Sequence, residues 1–126
     1  DETTAEGEEA AIRAAVQRYL DGTSYSRPEQ IASAFYAEAD LFLSHPEEEI
    51  YIRSIGEYVG FFENREVGKY NGREGEILSV DQENDIATAK AEIRLEEGEV
   101  RYIDLFLLKK LEGEWLIISK AATRMP

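Results

Sequence analysis

Hydrophobic positions along this chain change their period near residue 73. Before it they recur at helical spacing, and after it they alternate or run unbroken as in strands. From Ala10 to Leu20 the apolar residues Ile12, Ala15, Val16, Tyr19 and Leu20 fall at i, i+3, i+4, i+7 and i+8, with Arg13, Gln17 and Arg18 on the other face. Asp21-Gly22 is the expected stop. Residues 1–9 hold five acids and no base and read as a frayed acidic lead-in. Ser26 with Glu29 three positions on, and Pro28 between them, predict a second helix whose Ile31, Ala34 and Phe35 share a face. Leu41-Phe42-Leu43 predicts a short strand ending at Ser44-His45-Pro46, with Ile50-Tyr51-Ile52 as its hairpin partner. Ser54 and Glu57 repeat the capping-box spacing and open a third helix to about Asn64, with Ile55, Tyr58, Val59 and Phe62 inward. Its Gly56 and Gly60 lower helix propensity, so packing must hold it. Val67 to Gly72 reads as loop.

Four strands follow: Arg73 to Val80, Ile86 to Leu95, Val100 to Leu111 and Trp115 to Thr123. Their connections, Asp81 to Asp85, Glu96-Glu97-Gly98 and Glu112-Gly113, are short and polar and force antiparallel neighbours. In the second strand Ala87, Ala89, Ala91 and Ile93 take one face, and Thr88, Lys90, Glu92 and Arg94 the other. The last two strands are apolar on both faces over Ile103 to Leu108 and Leu116 to Ile118. One face is expected to meet the helices and the other a second copy of the chain. Helices early and a meander late predict an α+β architecture, a curved antiparallel sheet packed on three N-terminal helices.

The 126 residues suit one domain over residues 1–126. Net charge is −13, from 27 acidic and 14 basic residues, which argues against nucleic acid or an anionic membrane surface as partner. With no cysteine, disulfides, thiolate nucleophiles and thiolate metal sites drop out. One histidine and scattered carboxylates give no metal-ligand spacing, and no metal or cofactor is expected. A cytoplasmic location is favoured, with periplasm or secretion left open because the chain begins at Asp1 rather than Met.

Several patterns resemble the nuclear-transport-factor-2-like superfamily, and within it the branch labelled putative lumazine-binding, related to polyketide-cyclase-like (SnoaL-like) and ketosteroid-isomerase-like proteins. They are Ile12-x3-Val16-x2-Tyr19-x2-Gly22, Phe35-Tyr36-x3-Asp40-x-x-Leu43, Tyr102-x-Asp104-x-Phe106-x-Leu108 and Gly113-Glu114-Trp115-x-Ile117-Ile118-x-Lys120. Together they span nearly the whole chain. The resemblance implies a cone-shaped, cystatin-like roll with a pocket between the curved sheet and the helices. It implies no single activity, because isomerases, dehydratases, cyclases and non-catalytic binders share this scaffold.

Candidate site residues are polar groups on faces that otherwise read as buried. Asp104 shares a strand face with Tyr102, Phe106 and Leu108. If that face is concave, a desolvated carboxylate suits a general acid or base. If it is not, Asp104 pairs with an Arg or Lys of a neighbouring strand at a partly wet dimer face. His45, the single histidine, sits at a strand end and suits an acid, base or ligand donor, or else an exposed loop position. Tyr19 and Tyr58 can aim hydroxyls at a pocket lined with Tyr102 and Phe106, or simply pack in the core. The leading expectation is a small-molecule-binding domain with an apolar cone pocket gated by His45 and Asp104, taking a small hydrophobic or aromatic ligand and forming a homodimer through the outer sheet face. The alternatives are a cofactor-free isomerase, dehydratase or cyclase using Asp104 with His45 or Tyr19, and an interaction module with a filled pocket.

Overall fold

The computed structural model describes residues 5–126. Three helices, α1 (Ala5–Ser24), α2 (Pro28–Ser33) and α3 (Ile55–Gly60), pack on one face of a six-stranded sheet. The strands are β1 (Phe35–Phe42), β2 (Ile52–Ser54), β3 (Glu74–Glu83), β4 (Ile86–Leu95), β5 (Val100–Leu111) and β6 (Glu114–Arg124), in the spatial order β2-β1-β6-β5-β4-β3. The last four form the expected antiparallel meander. β1 instead pairs parallel to β6, so the sheet is antiparallel except at this seam. The sheet is curved and unclosed, and its concave face holds the core. No helix among the described residues is long and apolar enough to cross a membrane.

The first helix departs from expectation at both ends. Of the acidic lead-in, residues 5–9 are helical, while residues 1–4 lie outside the described residues. Glu8 accepts hydrogen bonds from Trp115 Nε1 (3.1 Å) and Lys110 Nζ (2.9 Å), which ties the start of α1 to the closing hairpin. At the other end α1 runs through Gly22 to Ser24. Gly22 does not stop the helix; it lets α2 approach, since a Cβ there would stand 2.8 Å from Ile31 Cγ1.

Ser26 is not the cap of α2. It is buried with φ +50°, its Oγ accepts from Asn71 Nδ2, and Arg27 occupies the N-cap without a side-chain bond. Ser54 and Glu57 do form the reciprocal capping box that starts α3. The chain leaves α2 at Ala34 and is extended from Phe35, so β1 begins six residues earlier than the Leu41-Phe42-Leu43 run suggests.

The four long strands lie within a few residues of their predicted bounds. β3 extends to Glu83, and the β3–β4 connection shrinks to Asn84-Asp85. The Glu112-Gly113 turn has φ +50° and +87°, the left-handed pair that suits a tight two-residue hairpin.

One irregularity matters for the site. β5 and β6 pair in register from Leu111↔Glu114 to Leu108↔Ile117, then resume at Leu107↔Ser119, which leaves Ile118 as an extra residue in β6. Before the bulge Trp115 and Ile117 face the core, and after it Lys120 does. Simple alternation from Trp115 would have turned Lys120 outward.

Candidate functional site

Asp104 and Lys120 lie side by side on the concave face of β5 and β6. Lys120 Nζ donates to Asp104 Oδ2 at 3.0 Å, with each side chain 2 % exposed. The two readings of Asp104 therefore do not exclude one another: it is on the concave face, and it is paired with a lysine of the neighbouring strand. The pair is inside the cone rather than at a wet outer face.

The ammonium also sits over two rings, 5.5 Å from the Tyr19 centroid and 5.8 Å from that of Tyr58, which adds cation–π attraction at a desolvated position. The two phenols meet at 3.0 Å between hydroxyl oxygens. Arg73 Nη2 donates to Tyr19 Oη at 3.2 Å and to Tyr58 Oη at 3.4 Å. Burial, with Tyr58 and Asp104 nearby, pushes the Tyr19 phenol well above its ordinary range, so it stays protonated and neutral. At Arg73 burial works against the charge, but Tyr58, Tyr19 and Asp104 more than offset it, and the guanidinium stays ionised.

Local structure explains why Arg73 is there. Asn71 caps the end of α1, its N–H donating to the Ser24 carbonyl and its Nδ2 to the Thr23 carbonyl. Asn71 Oδ1 in turn accepts from the Arg73 N–H, and the Arg73 carbonyl accepts from Ser24 Oγ. The loop into β3 is thus pinned to the last turn of α1, and the side chain is directed toward Tyr19 and Tyr58. Two residues on, Gly75 permits the close packing of α1, because a Cβ there would meet Leu20 Cδ2 at 2.7 Å.

Above this polar cluster is a cavity of about 340 Å³ at the open end of the cone. Tyr58, Phe61 and Phe62, from α3 and the turn after it, make one wall. Leu43, Ser44 and Tyr51, from the β1–β2 connection, make another. Ile93, Leu95, Tyr102 and Ala122 line the sheet side, and Asp104, Lys120, Arg73 and Arg65 supply the charged groups. A wider surface cleft of about 560 Å³, bordered by Arg27, Pro28, Glu29, Gln30, Glu63 and Val67, holds none of the buried charges. The cone cavity is where the chemistry is concentrated.

Of the residues singled out from the sequence, Asp104, Tyr58 and Tyr102 border this cavity, and Tyr19 lies directly behind it through its bond to Tyr58. Phe106 does not border it. It is buried edge-on against Tyr19, with centroids 5.6 Å apart, and belongs to the core. His45 is not among the residues that line the cavity, though it packs against Tyr51, which does. Its Nδ1 accepts from the N–H groups of Glu47 (3.1 Å) and Glu48 (3.2 Å), and its ring packs 4.7 Å from Tyr51. Lys120, Arg73 and Arg65 are charged site residues that sequence reasoning missed. The bulge hides the first, and the second precedes the strand at a loop junction where no periodicity assigns a face. Among the described residues no group of His, Asp and Glu side chains could hold a metal ion.

A family described as putative lumazine-binding matches residues 7–121 of the chain. No curated protein matches it. Among solved structures it is similar to an NTF2-like protein of unknown function from Shewanella baltica, with 23% identity, 99% of each chain covered and a TM-score of 0.85. It is similar also to an NTF2-like protein of unknown function from Silicibacter pomeroyi, with 24% identity, 97% of this chain and 99% of that one covered, and a TM-score of 0.83. A ketosteroid isomerase-like protein from Erwinia carotovora atroseptica shares the fold at 20% identity, 94% and 97% coverage and a TM-score of 0.69.

Proposed function

The chain belongs to the putative lumazine-binding family of the nuclear-transport-factor-2-like superfamily, and from that membership we propose that it is a small-molecule-binding protein whose site is the open cone cavity. The observation that carries this reading is an open cavity walled by aromatic side chains over a polar floor in which Lys120 is bonded to Asp104 and Tyr19 to Tyr58. Its volume is at the lower end of what small-molecule sites use, about 300–1,000 Å³. Tyr58, Phe61, Phe62 and Tyr102 offer ring faces and edges, which favour a small aromatic or hydrophobic occupant. Asp104 already gives Oδ2 to Lys120, which supports a role in positioning the floor rather than in moving a substrate proton.

The test is a thermal-shift screen of one- and two-ring compounds, lumazine included, against the protein and Ala122→Phe, which fills part of the cavity from the sheet side. A ligand that raises Tm in the first and not in the second supports the reading. Shifts that Ala122→Phe leaves unchanged, or none from any ring compound, refute it.

The outer face of the sheet supports a second copy of this chain as a further partner. Leu105 and Leu107, on a central strand, are 53 % and 41 % exposed. Lys90, Glu92 and Arg94 of the adjacent strand bring both signs of charge to the edge of this apolar stripe. A face with both signs around an apolar centre can match itself across a two-fold axis.

A further inference from the structure

We propose that the occupant of the cone cavity is an anion: a small aromatic carrying a carboxylate or an equivalent acidic group, held by Arg73 and Arg65. This rests on the reading of the cavity as a small-molecule site and adds the charge of the molecule that fills it.

The argument is a charge count. Two guanidinium groups, one ammonium group and one carboxylate border the cavity: Arg65, Arg73, Lys120 and Asp104. Lys120 and Asp104 neutralise each other at 3.0 Å. Two guanidinium groups remain, and among the described residues neither makes an ion pair. The Arg65 guanidinium lies 4.9 Å from the Phe62 ring centroid, on the cavity rim. Arg73 is the more telling case. Its Nη2 reaches two phenol oxygens, at least one of which is held neutral, and its Nε is sealed from water with no hydrogen-bond partner. A guanidinium with no ion pair and a buried donor left unused has hydrogen-bonding capacity that an anion would take up.

The acids nearby do not meet this need. Asp21 and Glu74 border a separate shallow groove that Arg73 also reaches, yet neither forms an ion pair with it. Glu74 is bonded instead by Tyr70 Oη and faces Arg94. In a chain of net charge −13, a cavity with two uncompensated positive charges is set against the field of the rest of the molecule. A guanidinium matches a carboxylate by two parallel N–H bonds, and charge-assisted bonds of this kind are about twice as strong as neutral ones.

The experiment uses matched pairs that differ only in charge: benzoate and benzamide, 2-naphthoate and 2-naphthamide. Binding to the full chain is measured by calorimetry at low and high salt. The acid of each pair is expected to bind roughly tenfold more tightly than its amide, with a preference that shrinks as salt rises. Arg65→Gln, on an exposed side chain, is expected to lower the preference several-fold, and Arg73→Gln to abolish it. Should Arg73→Gln not fold, Arg65→Gln and the salt dependence still decide. An amide bound as tightly as its acid overturns the anion inference and leaves the cavity reading standing. If neither member of any pair binds, the cavity reading fails and the anion inference with it.

Discussion

Lys120 reaches Asp104 at 3.0 Å across the β5–β6 ladder, but the two are not directly opposite: Asp104 pairs with Ala122, and Lys120 with Phe106. The contact is diagonal, within the reach of a long side chain. Because both groups are buried, removing one strands the other. Asp104→Ala or Lys120→Met alone should cost about 3–5 kcal/mol in urea unfolding. The double replacement Asp104→Leu/Lys120→Met should recover most of that loss. A double variant as unstable as the sum of the singles would show that the pair is not a self-contained unit.

Glu8 should report on acid stability. Its bond from Lys110, helped by that of Trp115 and opposed by desolvation, lowers its pKa. A depressed carboxylate stabilises the fold above its unfolded value, near 4.3, and that contribution is lost as pH falls through the folded value. The Tm gap between the protein and Glu8→Gln should therefore be widest near neutral pH and close on acidification. A gap independent of pH would mean that the Trp115 and Lys110 bonds do not depend on the carboxylate charge.

Tyr19 should report on alkaline stability, with the opposite sign. Its pKa is raised, by burial first, so the stability it carries is complete below the unfolded tyrosine value of about 10 and is lost as pH climbs beyond it. Unfolding in base should be steeper for the protein than for Tyr19→Phe. The same substitution removes an acceptor of Arg73 and should cost about 1–3 kcal/mol at neutral pH.

Two glycines should behave oppositely. Gly60, at the end of α3, has open space where a Cβ would go, and Gly60→Ala should stabilise by about 0.5–1 kcal/mol through helix propensity. Gly75→Ala would press on buried Leu20 and should destabilise by about 1–3 kcal/mol. Thermal denaturation of both variants checks the pair.

The outer face predicts an assembly state. Leu105→Arg and Leu107→Arg should lower the sedimentation coefficient from that of a dimer to that of a monomer, with little change in the far-ultraviolet spectrum. An unchanged coefficient would remove that face as the contact.

The residues most legible in the sequence were those whose neighbours are close along the chain. Ala87, Ala89, Ala91 and Ile93 alternate without interruption, and their strand pairs through short turns on both sides. Ser54 and Glu57 meet within a single turn. What stayed hidden depends on distant partners. Phe35 continues the helical spacing of Ile31, yet it is drawn into a strand because Ile117, far along the chain, offers a parallel ladder. Ser26 has the composition of a cap, but Asn71 takes its hydroxyl. For the site, Asp104 and Tyr58 could be named because they sit on regular apolar faces. Arg73 could not, since its direction is set by Asn71 holding the end of a helix more than forty residues earlier.

The bulge at Ile118 gives the closing strand two reading frames. Upstream of it odd-numbered residues point into the cone, and downstream even-numbered ones do. Pairing the same residues without the bulge would set Ser119 opposite Phe106 and Lys120 opposite Leu105, carrying Lys120 out to solvent and leaving Asp104 buried without its partner. The charge balance of the cavity is therefore written as much in the bulge as in the identity of the residues around it: deleting Ile118 would straighten β6 and keep Lys120 on the core face, whereas closing the bulge with every residue kept would recast the site.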